Sequence, residues 1–253
     1  VFFHDHSVFR NEKGRCVVAS DFVYSFNRLL SEDLASSGSW VFNHVDDYYA
    51  ENDSVLVINL KKQFPPFISL LSMQYCSVVP HELADRPEFR SHPIGTGPFK
   101  FQYWKEGVKL VLRKNENYFE KENGERLPKL DAVAITFIKD KQSEFLRFLQ
   151  GEIDFISGID PSYKDEILSK DGTLRDKYSE EINLQSIPFL NTEYLAFLMD
   201  GNSVLSVNKD LRKAINYAID KKKMLKFLRN NIGVAAESGF VPKGMSSFSD
   251  SIK

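Results

Sequence analysis

The sequence predicts an α/β protein with a sizeable hydrophobic core, and three observations support that prediction. Of the 253 residues, 42% are hydrophobic, which is enough apolar material for a buried core and excludes a disordered chain. Residues 132–157 have the pattern of a strand, a helix and a second strand, which favours a parallel sheet. The sequence contains no run of about 18 apolar residues, so we predict no membrane-spanning helix.

Net charge and cysteine content argue against nucleic-acid-binding proteins, disulfide-framework proteins and cysteine-based zinc proteins. The chain carries 33 Lys and Arg residues against 35 Asp and Glu residues, a net charge of -2. Because nucleic-acid-binding proteins usually carry a basic excess, we expect no nucleic-acid partner. The two cysteines, Cys16 and Cys76, are too few for a disulfide framework or a cysteine-based zinc site. We expect both to be buried as small apolar side chains.

The N-terminal third contains one clear helix and one clear strand. Ser20 is a good N-cap and Asp21 suits the positive end of a helix dipole, and apolar residues follow at helical spacing. These features predict a helix over residues 20–30. Residues 55–60 are rich in β-branched side chains and predict a strand. Two prolines then precede a short apolar helix over residues 67–73.

The strongest turn signal is the sequence Pro-Ile-Gly-Thr-Gly-Pro-Phe at residues 93–99. It lacks the Lys and the Ser/Thr of a phosphate-binding loop, and it lacks the glycine spacing of a dinucleotide site. We therefore assign Gly95, Thr96, Gly97 and Pro98 a structural role, with the glycines and prolines setting the backbone path.

The middle of the chain alternates between strands and one helix. Residues 99–101 and 108–113 predict two strands of a hairpin. Residues 132–138 predict a strand, residues 140–150 a helix that ends before a glycine, and residues 153–157 a further strand.

The C-terminal part continues with mixed elements. Residues 160–168 predict a helix, and residues 182–187 and 194–199 predict two strands. Asp210 is the predicted cap of the next helix, which carries apolar residues on one face. Residues 221–228 continue helically.

No catalytic or metal-binding constellation emerges from the residue types and their spacing. His4 and His6 would face the same side of a strand, but no second pair of ligands stands nearby, so we expect no metal. The chain lacks a Gly-x-Ser-x-Gly elbow and a His-Glu-x-x-His motif. We therefore expect no catalytic residues, no cofactor and no enzyme activity.

Four segments occur in a fixed order along the chain. They are Phe-His-Asp at residues 3–5 with Ala-Ser-Asp-Phe-Val-Tyr-Ser-Phe-Asn-Arg-Leu at 19–29, Pro-Ile-Gly-Thr-Gly-Pro-Phe at 93–99, Leu-Gln-Gly-Glu-Ile-Asp at 149–154, and Asn-Thr-Glu-Tyr-Leu-Ala-Phe at 191–197 with Leu-Arg-Lys-Ala-Ile-Asn-Tyr-Ala-Ile-Asp-Lys at 211–221. In this order and spacing they resemble the extracellular solute-binding proteins of family 5, which bind dipeptides, oligopeptides or nickel for ABC importers. Two departures, His6 in place of a frequent glycine and Leu-Met-Asp at 198–200, leave the motif order intact.

The resemblance implies a periplasmic-binding-protein-like type II fold, present only in part. It implies a small accessory domain over residues 1–92, incomplete at its N-terminus. Residues 93–187 would form part of the first ligand-clasping lobe, and residues 188–253 the start of a truncated second lobe. Because family members are about twice as long, we expect the chain to be a fragment that lacks N-terminal and C-terminal parts.

The resemblance also implies a function and a set of cleft residues. The intact protein would capture peptides outside the cytoplasmic membrane of a bacterium and deliver them to the permease subunits of an ABC importer. It would reach the membrane only through the transporter or through a lipid anchor outside this fragment. Ligands of α/β sheets bind beyond the carboxyl ends of strands. The predicted cleft residues are Ser157, Gly158 and Ile159, after the predicted strand, together with Asn191 and Tyr194.

Several alternatives stay open at this stage. Within the same fold, the ligand could instead be a nickel chelate, haem or an oligosaccharide. The domain could also serve as the sensor of an intracellular regulator, which would require a DNA-binding segment. An enzyme on a derived scaffold is a further alternative, disfavoured by the missing nucleophile and base.

Overall fold

The computed structural model describes residues 1–160, 162–187 and 189–252, which divide into two compact units, Val1–Lys139 and Asp140–Lys253. The predicted helix start at Pro161 and the first residue of the predicted second lobe, Pro188, lie outside the described residues. Within the described ranges, no helix has the length and apolar character needed to cross a bilayer.

The first core of the N-terminal unit forms where one helix packs against a hairpin. Helix α1 (Ala19–Leu30) lies against strands β1 (Val45–Asn52) and β2 (Val55–Leu60), which pair antiparallel. The predicted helix and the predicted strand at residues 55–60 are therefore confirmed. Helix α2 (Phe67–Leu71) closes the core, as predicted. The buried members of this core are Phe26, Leu29, Val41, Phe42, Val45, Phe67 and Cys76.

The predicted cap of α1 is wrong by two residues. Val18, not Ser20, precedes the first helical turn, and the Asp21 carboxylate accepts a 2.9 Å hydrogen bond from the Val18 N–H. Asp21 thus satisfies a backbone donor at the helix start, as the third residue of a capping box does. The Ser25 hydroxyl donates to the Asp21 carbonyl and accepts from the Val79 N–H at 3.0 Å, which ties the helix to the following extended segment.

A second core of the N-terminal unit lies beneath the start of the chain. Its buried members are Phe3, Phe9, Leu83 and Ile94, and helix α3 (His81–Ala84) contributes one of them. Gly14 allows the chain to turn closely here, because an added Cβ would lie 1.8 Å from the carbonyl oxygen of Phe3.

A three-stranded antiparallel sheet completes the N-terminal unit. Strands β3 (Phe99–Lys105) and β4 (Lys109–Lys114) form the predicted hairpin, and Gly107 in their turn has a φ of 68°. A small hairpin of β5 (Lys121–Glu122) and β6 (Glu125–Arg126) follows. Strand β7 (Ala132–Thr136) then pairs antiparallel with β4.

The predicted parallel β-α-β unit is wrong. Strand β7 pairs antiparallel with β4, and the described residues 151–160 contain no strand. The predicted strands at residues 182–187 and 194–199 do not form either. Apolar and β-branched composition drove these predictions, but a strand exists only where a neighbouring strand pairs with its backbone.

The C-terminal unit has helices as its regular elements, with irregular backbone between them. Its core contains Phe145, Ile167, Leu168 and Tyr178. The Asp140 side chain caps the first helix, and the Asp220 side chain caps the last, each by accepting a backbone N–H. Asn208, not the predicted Asp210, caps the long helix between them. The helices are α4 (Lys141–Leu149), α5 (Lys164–Ile167), α6 (Val204–Val207), α7 (Lys209–Ala218) and α8 (Lys221–Leu228).

The two cysteines differ in exposure. Cys76 is buried in the first core, as expected, and burial raises the pKa of its thiol. Cys16 is exposed, so the expectation of burial is wrong there. Its exposure follows from its place in an isolated bridge with Phe2 at the surface of the unit.

Candidate functional site

The turn at residues 95–98 is held by side chains from two distant parts of the sequence. His4 Nε2 donates to the Gly97 carbonyl at 2.9 Å, and the His4 N–H donates to the Gly95 carbonyl at 2.9 Å. Asn115 donates its side-chain amide to the Gly97 carbonyl at 3.0 Å and its backbone N–H to the Pro98 carbonyl at 2.8 Å.

The glycines of this turn do not need glycine conformations. Neither Gly95 nor Gly97 has a positive φ, and a Cβ at Gly97 would meet no atom within 4 Å. Thr96 between them is half-buried. The hydrogen bonds from His4 and Asn115 therefore set the backbone path, which glycine content alone could not reveal.

His4 is the buried titratable group of this turn. Its side chain is buried, and burial lowers its pKa. The hydrogen bond to the Gly97 carbonyl would raise the pKa, but burial has the larger effect. The neutral ring satisfies both nitrogen atoms, since Nδ1 accepts from the Gly95 N–H at 3.4 Å while Nε2 donates. Protonation would remove the acceptor, so the turn favours neutral His4.

The first predicted cleft segment lies in the loop between α4 and α5. Ser157 is exposed, and Gly158 has a φ of 78°, a conformation that suits glycine. Ile159 is half-buried and packs against the core of the C-terminal unit. The nearby Asp160 accepts hydrogen bonds from Ser162, which lower the pKa of its carboxyl group.

The second predicted cleft segment has no regular secondary structure and is largely exposed. Asn191 is exposed, and Tyr194 exposes 67% of its surface. The Tyr194 ring contacts Phe240, with ring centroids 4.8 Å apart and planes at 65°. The Thr192 hydroxyl donates to the Phe240 carbonyl at 2.8 Å. The loop around Phe240 therefore positions this segment.

The segment that contains Asn191 and Tyr194 has one ion pair, and its backbone makes no hydrogen bond to other backbone groups of the described residues. Glu193 and Arg229 form an exposed ion pair of 2.6 Å, which links the segment to the end of α8. Among the described residues, no backbone group of residues 183–187 or 189–199 bonds to another backbone group. Because backbone donors and acceptors need partners, this stretch can accept a strand-like partner.

The structure does not bring the two predicted cleft segments together. Across the described parts of the chain, no hydrogen bond, ion pair or aromatic contact links residues 157–159 to residues 191–194. Sequence reasoning missed Phe240 and Arg229, because residue spacing carries no signal for contacts between such distant positions. In the described residues, no group of three or more His, Cys, Asp or Glu side chains could hold a metal ion.

The whole chain, residues 1–253, matches the family model described as bacterial extracellular solute-binding proteins, family 5 Middle. The chain belongs to this family. The resemblance of its four ordered motifs to family 5 is thereby confirmed.

Two curated relatives illustrate the range of family 5. The chain is 23% identical to the dipeptide-binding protein of Escherichia coli (strain K12), a match that covers 100% of the chain and 47% of that protein. It is 26% identical to heme-binding protein A of Haemophilus influenzae, with 93% of the chain and 43% of that protein covered. The chain thus spans less than half the length of the curated relatives it matches.

A solved structure of family 5 agrees with the predicted fold. The ABC transporter-associated periplasmic binding protein DppA from Helicobacter pylori, in complex with the peptide STSA, is 25% identical to the chain. The match has a TM-score of 0.58 and covers 66% of the chain and 35% of DppA. The predicted α/β fold of the periplasmic-binding-protein-like type II class, present in part, is confirmed.

Proposed function

We propose that the protein is the substrate-binding component of an ABC importer and captures peptides. The observation that carries this proposal is the match of the entire chain to family 5, together with a relative named as a dipeptide-binding protein and one solved with a bound peptide. The family description places such proteins outside the bacterial cell. Accordingly, capture takes place in the periplasm or at the outer face of the cytoplasmic membrane.

The irregular segment at residues 189–199 supports main-chain recognition of a peptide. Its backbone groups have no backbone partners among the described residues, so they are available to an added strand. Main-chain hydrogen bonds give affinity without reading the peptide sequence. Asn191 and the exposed ring of Tyr194 lie on this segment and are the ligand-contacting candidates there.

The remaining parts of the proposal concern organisation and partners. Residues 1–92 form the accessory domain, residues 93–187 belong to the first lobe, and residues 188–253 begin the second. Ser157, Gly158 and Ile159 line the first lobe's side of the cleft. Closure of the lobes over the peptide, a hinge motion, presents the loaded protein to the permease subunits. The protein releases its peptide unaltered and has no catalytic role.

Native mass spectrometry of the purified protein, before and after mild denaturation, tests the ligand class. The proposal expects release of peptides of mixed sequence, because main-chain recognition does not select side chains. A protein that releases no peptide and shows no thermal shift with added peptides would overturn it. Release of one defined non-peptide molecule would reassign the protein to a specialised importer.

A matched pair of tyrosine variants tests the ligand-facing segment. Tyr194→Ala should weaken binding of trialanine about fivefold to tenfold, because it removes one aromatic contact. Tyr217→Ala is the control, since Tyr217 on α7 exposes 84% of its surface. Isothermal titration calorimetry measures both. Equal affinities for the two variants would contradict the role of Tyr194.

Haem is the second candidate ligand, favoured by the 26% identity to heme-binding protein A. Titration of the protein with haem, followed by visible absorption, distinguishes it from peptide capture. Saturable haem binding that peptides do not displace would favour this candidate.

A further inference from the structure

One face of the three-stranded sheet carries four cationic side chains. In the β3–β4 register, Lys100 lies opposite Arg113, and Lys105 lies opposite Lys109. Directly opposite residues of antiparallel strands share a face. Lys109 and Arg113 are four residues apart on the regular strand β4 and lie on one side of the sheet, and the register irregularity between Phe101 and Tyr103 brings Lys100 and Lys105 to that same side. Tyr103 lies on that side between the two pairs, opposite Val111. We call this set of four cations and Tyr103 the basic face.

The basic face leaves its charges without partners. Within the described ranges, none of its four cations has a carboxylate oxygen within 4.0 Å or a side-chain hydrogen bond. Glu106, in the turn between the two strands, instead pairs with Arg90, whose Nη2 lies 3.5 Å from the Glu106 Oε1. Like charges placed directly opposite each other destabilise a sheet, so the two cation pairs carry a cost, which the attraction between Lys100 and the Asp5 carboxylate offsets in part.

A second hairpin of the same unit shows how such pairs are otherwise compensated. In the β5–β6 hairpin, Lys121 lies opposite Arg126 and Glu122 lies opposite Glu125. There, Lys129 forms an ion pair with Glu122, and Arg126 donates to the Tyr118 carbonyl at 2.7 Å. The basic face has no equivalent arrangement among the described residues.

The geometry of the basic face suits a flat partner. Paired strands lie about 5 Å apart, and four residues along a strand span about 13 Å, so the cations mark the corners of a small rectangle. Lys105, Lys109 and Arg113 are exposed and Lys100 is half-buried. Tyr103, near the centre, exposes 48% of its surface.

We propose that the basic face docks on an anionic bilayer surface, a direct membrane contact that departs from the expectation of attachment only through the transporter or a lipid anchor. Charge complementarity to anionic lipid headgroups supplies the attraction, and a planar array of cations can reach several headgroups at once. Tyrosine is a residue that prefers the membrane–water interface, with its ring in the apolar boundary and its hydroxyl in water. The proposal is independent of which ligand the protein captures.

Vesicle co-sedimentation tests the proposal with the purified protein. Vesicles containing phosphatidylglycerol should bind the protein at low salt, and added salt should release it, whereas pure phosphatidylcholine vesicles should not bind it. Lys105→Gln/Lys109→Gln should weaken binding roughly twenty-five-fold, about fivefold for each lost cation. The control Lys62→Gln/Lys121→Gln makes the same charge change at exposed positions outside the basic face and should retain most of the binding.

The double variant Lys105→Gln/Lys109→Gln should fold normally, because both side chains are exposed and their replacement removes a like-charge pair. The thermal midpoint should therefore stay constant or rise slightly. Absence of binding to the anionic vesicles, equal binding to neutral vesicles, or equal loss in both double variants would overturn the proposal. Capture of an acidic protein without vesicle binding would assign the face to a protein partner instead and would also overturn it.

Discussion

The two compact units differ in how they treat their apolar side chains. In the N-terminal unit, α1 buries Phe26 and Leu29 in a core that its own hairpin completes. In the C-terminal unit, α6, α7 and α8 contain no buried residue at all. The difference teaches that apolar spacing in a sequence reveals a helix face, but only tertiary neighbours decide whether that face is buried. We therefore expect the N-terminal unit to hold more of the stability in its side-chain packing.

The largest expected effect comes from matched phenylalanine variants of the two units. Phe26 is 2% exposed and contacts the rings of Phe42 and Tyr48, whereas Phe227 on α8 is 68% exposed. Phe26→Ala should lower the free energy of unfolding of its unit by about 3–5 kcal/mol, because it removes buried area and leaves a cavity. Phe227→Ala should cost less than about 0.5 kcal/mol.

Tryptophan fluorescence during urea unfolding can measure the first of these changes. Both tryptophans of the chain, Trp40 and Trp104, lie in the N-terminal unit, so the signal reports that unit alone. Hydrogen exchange of α4 and α8 reports the other unit. Similar losses for the two variants would contradict the contrast between the units.

The second expected effect concerns Arg15 and its two carboxylate partners, Asp21 and Glu82, in the N-terminal unit. Arg15 binds Asp21 through two hydrogen bonds of 2.7 and 2.8 Å and binds Glu82 at 2.5 and 2.9 Å. These bonds raise the pKa of Arg15, with Asp21 as the larger cause. Burial is the largest single influence on the pKa of Glu82 and would raise it, but the hydrogen bonds from Arg15, a backbone hydrogen bond and the charges of Arg15 and His81 together lower the pKa.

Arg15→Met should destabilise the unit by about 3 kcal/mol, because it leaves Asp21, which is 2% exposed, as an unpaired buried charge. Arg28→Met is the control, because the Arg28–Asp85 pair is at the surface and is worth at most about 1 kcal/mol. Urea titrations of the two variants by fluorescence make the comparison. A smaller loss for Arg15→Met than for the control would refute the buried pair as an anchor.

The third and smaller expected effect concerns Asn230, a buried polar side chain of the C-terminal unit. Asn230 is 4% exposed and accepts from Lys164 at 2.8 Å, while it donates to Asp165 at 3.0 Å and to the Ser169 carbonyl at 3.2 Å. Its φ is 46°, which asparagine tolerates better than most residues.

Asn230→Ala should therefore cost about 2 kcal/mol, because it removes three hydrogen bonds of a buried side chain and strains the backbone. The control Asn231→Ala removes one exposed bond to the Lys170 carbonyl at a comparable φ of 59°. Hydrogen exchange of α5 should quicken in the first variant much more than in the second. If both variants behave alike, polar anchoring does not hold this unit together.

The smallest expected effect is a pH dependence of the N-terminal unit. Burial lowers the pKa of His4 in the folded protein below its ordinary value of 6.5. The unfolded chain then binds more protons, so this contribution to stability is complete above about pH 6.5 and is lost as the pH falls below it. His6 acts in the same direction, since burial lowers its pKa as well.

His4→Gln should flatten the fall of the urea midpoint between pH 7.5 and 5.5, a window around the ordinary histidine pKa. An NMR titration of the His4 ring should give a midpoint below 6.5. An unchanged pH slope in the variant, or a midpoint above 6.5, would show that the turn does not favour the neutral ring.

Local sequence signals predicted the elements that depend on local interactions. The helix over residues 20–30, the hairpin around Gly107 and the helix over residues 140–150 each follow from apolar spacing, turn residues or a glycine at the helix end. The strand at residues 153–157 was wrong because a strand requires a partner that no local pattern specifies.

The candidate site was less accessible to sequence reasoning than the fold. Motif order identified the family, and family resemblance selected Asn191 and Tyr194. It could not reveal that Phe240 contacts Tyr194, or that His4 and Asn115 hold the turn at residues 95–98. Those contacts join positions far apart in the chain, and their geometry arises only on folding.

Hydrogen exchange of residues 189–199, with and without a peptide ligand, tests the central claim most directly. The account predicts rapid exchange without peptide, because these amides have no backbone partners among the described residues. Saturating trialanine should slow several of them by about tenfold or more, as an added strand would. Strong protection without peptide, or unchanged exchange when peptide is demonstrably bound, would contradict the account.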